Sequence, residues 1–160
     1  MTNFKTADIC DDYASEVQVC QLDLRSYGKK RRFFGKIETV QVFEDNVLFE
    51  EALESVPEGS VIVVNGGGST NCALMGDRLA GIAVSRKLAG VIINGCIRDS
   101  ADIASMDVGV LALGTNPLKS KKNGIGERDV SFTFGNVHWK PGDYVYADED
   151  GVIVALEKLV

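Results

Sequence analysis

Val61-Ile62-Val63-Val64, followed by Asn65 to Thr70, and Val91-Ile92-Ile93, followed by Asn94 to Asp99, share one layout: a short β-branched run that opens into a turn-rich segment. Continuous apolar runs of this length read as strands buried on both faces of a parallel sheet. Between them Leu79, Ile82, Ala83 and Leu88 recur at helical spacing, while Asp77, Arg78, Ser85, Arg86 and Lys87 take much of the opposite face. The segment is therefore a βαβ crossover. In such sheets ligands gather outside the carboxyl ends of the strands, so both turn-rich segments open on one cleft. Asp77 then stands near Arg98-Asp99, two acids and one arginine after two neighbouring strands.

The rest of the chain extends this core. A first helix covers Ala7 to Tyr13, and the basic stretch Arg25 to Arg32 reads as a solvated loop. Gly35 to Phe43 alternates at period two, as a half-buried strand does, and Asn46 caps a helix over Val47 to Val56. After Asp99, a short helix through Ala101 to Met106 leads to the strand Val108 to Leu113. Lys119 to Gly126 reads as a mobile, turn-rich segment. Beyond it, Val130 to Phe134, Val137 to Trp139, Tyr144 to Ala147 and Val152 to Val154 are short strands split by turn sequences. The fold class is α/β, with a central βαβ part and an antiparallel β C-terminal part.

At 160 residues and 45% apolar content, the chain suits a single domain spanning residues 1–160. No apolar run reaches membrane-spanning length, and the start Met1 to Asp8 lacks a signal-peptide layout, so a cytoplasmic protein is expected. Cys10, Cys20, Cys72 and Cys96 form no C-x-x-C pair, which indicates reduced structural thiols. A net charge of -6 opposes direct nucleic-acid binding but suits a basic protein partner.

The chemistry concentrates around Gly76-Asp77-Arg78-Leu79 and Arg98-Asp99. Gly76 interrupts a helical run from Asn71, and Asp77 is a favoured N-cap, so the amides of Arg78 and Leu79 point outward at a helix start suited to a carboxylate. Arg98 can grip a carboxylate or keto oxygen with two parallel hydrogen bonds. Asp99 offers hard oxygens to Mg²⁺ or Mn²⁺, which need only one or two protein carboxylates. All three would stabilise the enolate of pyruvate, released either by retro-aldol cleavage of a 4-hydroxy-2-oxo acid or by decarboxylation of oxaloacetate. With no histidine in either segment, the proton moves through a water to which Asp77 hydrogen-bonds.

Other motifs have plainer readings. Gly66-Gly67-Gly68 lacks the Lys-Ser or Lys-Thr of a phosphate loop and suits close backbone packing. Cys96, with no histidine beside it, is a buried thiol. Asp102 and the lysines 119, 121 and 122 are solvated, His138 and Trp139 are cross-strand packing, and Asp148-Glu149-Asp150 is a hairpin turn.

Gly66-Gly67-Gly68-Ser69, Gly76-Asp77-Arg78-Leu79, Gly95-Cys96-Ile97-Arg98-Asp99 and Tyr146 to Val154 together resemble the RraA-like family, as do Cys10-Asp11 and Phe43-Glu44-Asp45-Asn46. That family includes regulators of ribonuclease activity and divalent-metal-dependent class II aldolases that cleave 4-hydroxy-4-methyl-2-oxoglutarate to pyruvate and also decarboxylate oxaloacetate. The resemblance implies substrate binding by Gly76, Asp77, Arg78 and Leu79, pyruvyl binding by Arg98, and metal binding by Asp99. It also implies an α/β/β sandwich of the swivelling-domain type, assembled as a ring-shaped homotrimer with the cleft at the subunit boundary. Regulator-type members can lack the acid after the arginine, and this sequence retains it. The longer aldolases carry a C-terminal extension that this sequence, ending at Val160, does not show. The alternative expectation is a non-catalytic regulator that binds and inhibits ribonuclease E.

Overall fold

The computed structural model describes residues 3–160; Met1 and Thr2, part of the start read above for a leader, lie outside them. Helix α1 (Thr6–Tyr13) and a 3₁₀ turn (Ala14–Glu16) lead into β1 (Val17–Val19), β2 (Arg25–Ser26) and β3 (Phe33–Gln41). Then come α2 (Val47–Ser55), β4 (Val61–Asn65), β5 (Ala73–Met75), α3 (Asp77–Ser85), β6 (Gly90–Ile97), α4 (Ser100–Ile103) and β7 (Gly109–Thr115). The chain finishes with β8 (Glu127–Arg128), β9 (Phe132–Phe134), β10 (Val137–Trp139), β11 (Tyr144–Asp148) and β12 (Gly151–Ala155).

Strands β3, β4, β6 and β7 lie side by side and parallel, in register from Ile37↔Val61 and Val61↔Gly90 onward. β11 and β12 extend this sheet from β3 in antiparallel fashion, with β1 at that edge and β2 at the other. Period-two alternation explains why both faces are apolar. Ile62, Val64, Val91 and Ile93 pack beneath α2 and α3 with Phe49, Leu53 and Leu79. Val61, Val63 and Ile92 point the opposite way, against Trp139, Val145 and Val154 of the β-rich end. Three layers result, helices over the parallel sheet over antiparallel strands, which is the α/β/β order. Each fully buried Val or Ile contributes about 1.5–3 kcal/mol as an upper estimate, so this two-sided burial is the main stabilising term.

Several local expectations are corrected. Ala73-Leu74-Met75 is not helical: it forms β5, parallel to β6, and α3 therefore begins only at Asp77. Arg25 and Ser26 pair with Ala112 and Leu111 rather than lying in a free loop. Asn46 occupies the N-cap position of α2, as expected, but its side chain makes no capping bond. Its side-chain amide donates to the Leu74 carbonyl at 3.0 Å, and Asp45 accepts the Val47 amide at 3.1 Å instead. Lys119 to Gly126 is anchored, not free: the same Asp45 carboxylate accepts from the amides of Asn123 at 2.7 Å, Gly124 at 3.3 Å and Ile125 at 3.5 Å. Burial of Asp45, which is 3% exposed, raises its pKa, but these backbone donors outweigh that and hold the carboxyl below its ordinary value.

Two tests follow from this packing. A folded-state pKa below the unfolded one means that Asp45 stabilises above pH of about 4, and that the contribution is lost as pH falls through the depressed value. Asp45→Ala therefore costs roughly 2–4 kcal/mol at pH 7, by leaving three or four amides unpaired, and flattens the acid side of the stability profile measured by urea unfolding. The Phe33 ring rests on Gly90 and Gly109; a Cβ on Gly90 would come within 2.6 Å of it, and one on Gly109 nearer still. Gly109→Ala lowers unfolding free energy by about 1–3 kcal/mol through this overpacking, seen as a lower urea midpoint with unchanged slope.

Candidate active site

The unforeseen strand β5 is what builds the site. The Arg98 amide donates to the Met75 carbonyl at 2.8 Å, so the end of β5 and the end of β6 are zipped together and Gly76 lies against Arg98-Asp99. Asp99 adopts a left-handed conformation, φ 56° and ψ 38°, which asparagine and aspartate tolerate better than most residues. That turn directs its Oδ2 onto the Asp77 amide at 2.9 Å. Asp77 is thus the first residue of α3 and not its cap; Gly76 occupies the cap position, and the capping oxygen comes from Asp99 across the cleft. Gly76 packs closely against the Asp99 and Arg98 side chains. A Cβ at Gly76 would sit 2.5 Å from Asp99 Oδ2 and 3.3 Å from Arg98 Cγ and Nε.

The first intrahelical bond of α3 runs from the Ala80 amide to the Gly76 carbonyl, which leaves the amides of Arg78 and Leu79 without helical partners. They share the helix start with its positive dipole end. Arg98 is half-buried and its guanidinium lies along Gly76, tethered only by a 3.4 Å contact from Nη1 to the Pro117 carbonyl. The Asp77 carboxylate is exposed. The Arg78 side chain turns elsewhere: it meets Glu50 of α2 in a bidentate pair at 2.6 and 3.1 Å, so only its amide faces this region.

The neighbouring wall includes residues that sequence reasoning left without a role. Glu44 Oε2 accepts from Ser69 Oγ at 2.6 Å and Asn71 Nδ2 at 2.9 Å, and these donors hold its carboxyl below the ordinary range. Asn94 donates to Asn65 at 3.1 Å, and the Asn65 oxygen accepts the Gly67 amide at 3.0 Å. The only signal in the sequence is that these polar groups cluster at strand ends. Gly66 is there for close packing, since a Cβ would strike Leu74 Cδ1 at 2.7 Å and the Asn94 carbonyl at 2.8 Å. Cys96 is buried, and burial pushes its thiol pKa up, away from nucleophilic use. Asp102 is exposed, and His138 meets Thr133 across the β9–β10 hairpin at 3.2 Å.

Among the described residues, no three His, Cys, Asp or Glu side chains gather as a ready metal cage. Asp99 has one oxygen engaged by the Asp77 amide and is exposed. Such a donor set suits Mg²⁺ or Mn²⁺, which keep most of their waters, and does not suit a dehydrated tetrahedral zinc site.

The chain is similar to known proteins over nearly its full length. The family model RraA-like, described as Aldolase/RraA, matches residues 6–154. A Bacillus cereus protein provisionally named 4-hydroxy-4-methyl-2-oxoglutarate aldolase is 56% identical over 98% of both chains. An Alkalilimnicola ehrlichii protein of the same provisional name is 51% identical, covering 97% of this chain and 96% of that one. A Geobacillus kaustophilus crystal structure, titled S-adenosylmethionine:2-dimethylmenaquinone methyltransferase, is 63% identical with a TM-score of 0.97 over 98% and 97% of the two chains. The RNA-processing inhibitor RraA from Thermus thermophilis is 38% identical, TM-score 0.95, over 99% and 96%. The names differ, but the family does not: this chain belongs to the RraA-like family.

Proposed function

We propose that the chain is a divalent-metal-dependent lyase that cleaves 4-hydroxy-4-methyl-2-oxoglutarate to pyruvate and decarboxylates oxaloacetate. The observation that carries this reading is the convergence of the Arg98 guanidinium, the Asp99 carboxylate and the open start of α3 around Gly76. Together they offer a small 2-oxo acid a planar fork of donors, two unpaired amides and one hard oxygen site. The names of the relatives at 51–56% identity support the same reading.

In this reading Arg98 holds the pyruvyl carboxylate or keto oxygen, and its donors strengthen as negative charge develops there. The Arg78 and Leu79 amides orient the substrate with no reorganisation, because α3 already fixes them. Asp99 would hold Mg²⁺ or Mn²⁺, which supplies Lewis-acid stabilisation of the enolate oxygen when bound. Asp77, exposed beside the cleft, hydrogen-bonds the water through which the proton moves. The same residues serve retro-aldol cleavage and decarboxylation, since both release the pyruvate enolate. A menaquinone precursor is large and apolar, whereas the groups meeting here suit a small anion; the methyltransferase title is therefore not carried over.

The reading includes a homotrimer with the cleft at the subunit boundary. Phe43 at 64% exposure and Leu118 at 62% flank the site, and apolar side chains so placed favour burial by a neighbouring copy. A second reading rests on the Thermus neighbour's title and on the net charge of -6: docking on a basic segment of ribonuclease E. Capture of ribonuclease E that fades with rising salt would support that role.

Purified protein with Mg²⁺ or Mn²⁺ releases pyruvate from oxaloacetate above the metal-only background, EDTA removes the activity, and Asp99→Ala abolishes it; release equal to background contradicts the lyase reading. Gly76→Ala, whose methyl displaces the Asp99 carboxylate and the Arg98 side chain, lowers kcat/KM by at least about 100-fold, on the scale of a roughly 1 Å misplacement, while its urea midpoint shows the fold retained.

A further inference from the structure

The basic stretch that the sequence places before β3 has no part in the site above, yet the fold gives it a setting. At the amino ends of β3, β4, β6 and β7, the pole opposite the candidate active site, lies an open pocket of about 780 Å³. Lys30, Arg32, Lys36, Lys87 and Lys158 line it, and Asp107 is the one acid among its lining residues. In a chain of net charge -6, five cations around one hollow are a local reversal of sign. They repel one another, and walls of low dielectric focus their field on whatever enters.

Their pairing is sparse. Among the described residues only Arg32 meets a carboxylate, Glu149, through a 3.4 Å contact, and the Arg32 Nε is buried without an acceptor. None of the four lysines forms an ion pair. Lys158 Nζ instead sits 5.6 Å from the centre of the Phe34 ring. Phe34 and Tyr144, both half-buried, lie parallel within 4° at 5.9 Å, so the floor carries an aromatic surface as well as charge.

We infer that this pocket binds a small organic polyanion bearing an aromatic ring, of the nucleoside diphosphate class. The lysines take the phosphates through charge-assisted hydrogen bonds. The ring of the base packs on the Phe34–Tyr144 surface, which a bare inorganic anion cannot use. The volume lies within the range of small-molecule sites. Because the pocket sits at the other end of the strands, this inference stands or falls separately from the keto-acid reading.

Calorimetric titration of the full chain with ADP, in EDTA and at low ionic strength, tests it. Saturable one-to-one binding is expected, weakened about tenfold or more in Lys36→Gln/Lys87→Gln, weakened in Tyr144→Leu, and unchanged in Asp99→Asn. Pyrophosphate binds less tightly than ADP. Lys36 and Lys87 are exposed, so the double variant keeps its fold, which its unfolding midpoint verifies. Lack of saturable ADP binding, undiminished affinity in the double variant, loss of binding in Asp99→Asn, or equal affinity for pyrophosphate overturns the inference.

Discussion

One hydrogen bond organises the cleft: the Asp99 carboxylate accepts the Asp77 amide at 2.9 Å from 22 residues away. It does three jobs at once. It caps α3 in place of a local side chain, it fixes the orientation of the carboxylate, and it draws Gly76 into contact with Arg98. The bond exists because Asp99 takes a left-handed turn at the end of β6 and because the Arg98 amide ties that strand to Met75 of β5. A Cβ at Gly76 would press on both side chains, so the Asp99 carboxylate or the Arg98 side chain would have to shift. The carboxylate and the start of α3 are thus held together, with the Arg98 side chain alongside them, an arrangement of the kind that electrostatic preorganisation uses.

Much of this was legible in the residues, for a definite reason. Val61 to Val64 and Val91 to Ile93 are uninterrupted β-branched runs, and such runs are stable only when both faces are covered. Once they are read as neighbouring parallel strands, topology alone places the two following segments at one end of the sheet. What escaped the sequence were elements whose conformation is set from a distance. Ala73, Leu74 and Met75 are good helix formers, and nothing local reveals that β6 claims them as a strand. The segment 119–126 looks unstructured until the Asp45 carboxylate, about eighty residues earlier, satisfies its amides. Asn46 has the side chain of a cap but spends it on Leu74, while Asp45 beside it does the work. For the site, the identities of Arg98, Asp99 and Gly76 to Leu79 were readable; the outward turn of Arg78 to Glu50 and the bracing by Glu44 were not, because both depend on how α2 and the strand ends pack.

The two poles of the sheet divide the chemistry. At the carboxyl ends stand two acids, one arginine and amides without helical partners. At the amino ends, lysines surround a hollow with an aromatic floor. A parallel sheet produces this separation naturally, since all its strand ends of one kind fall on one side.

The central claim is that the first turn of α3 and Arg98 grip the same small anion. The most direct measurement is an NMR titration of ¹⁵N-labelled protein with oxalate, a planar mimic of the pyruvate enolate. The backbone amides of Arg78 and Leu79 and the Nε–H of Arg98 should shift together along one saturable curve. Shifts confined to other residues, or amides of α3 that stay still while Arg98 moves, would contradict a shared pocket.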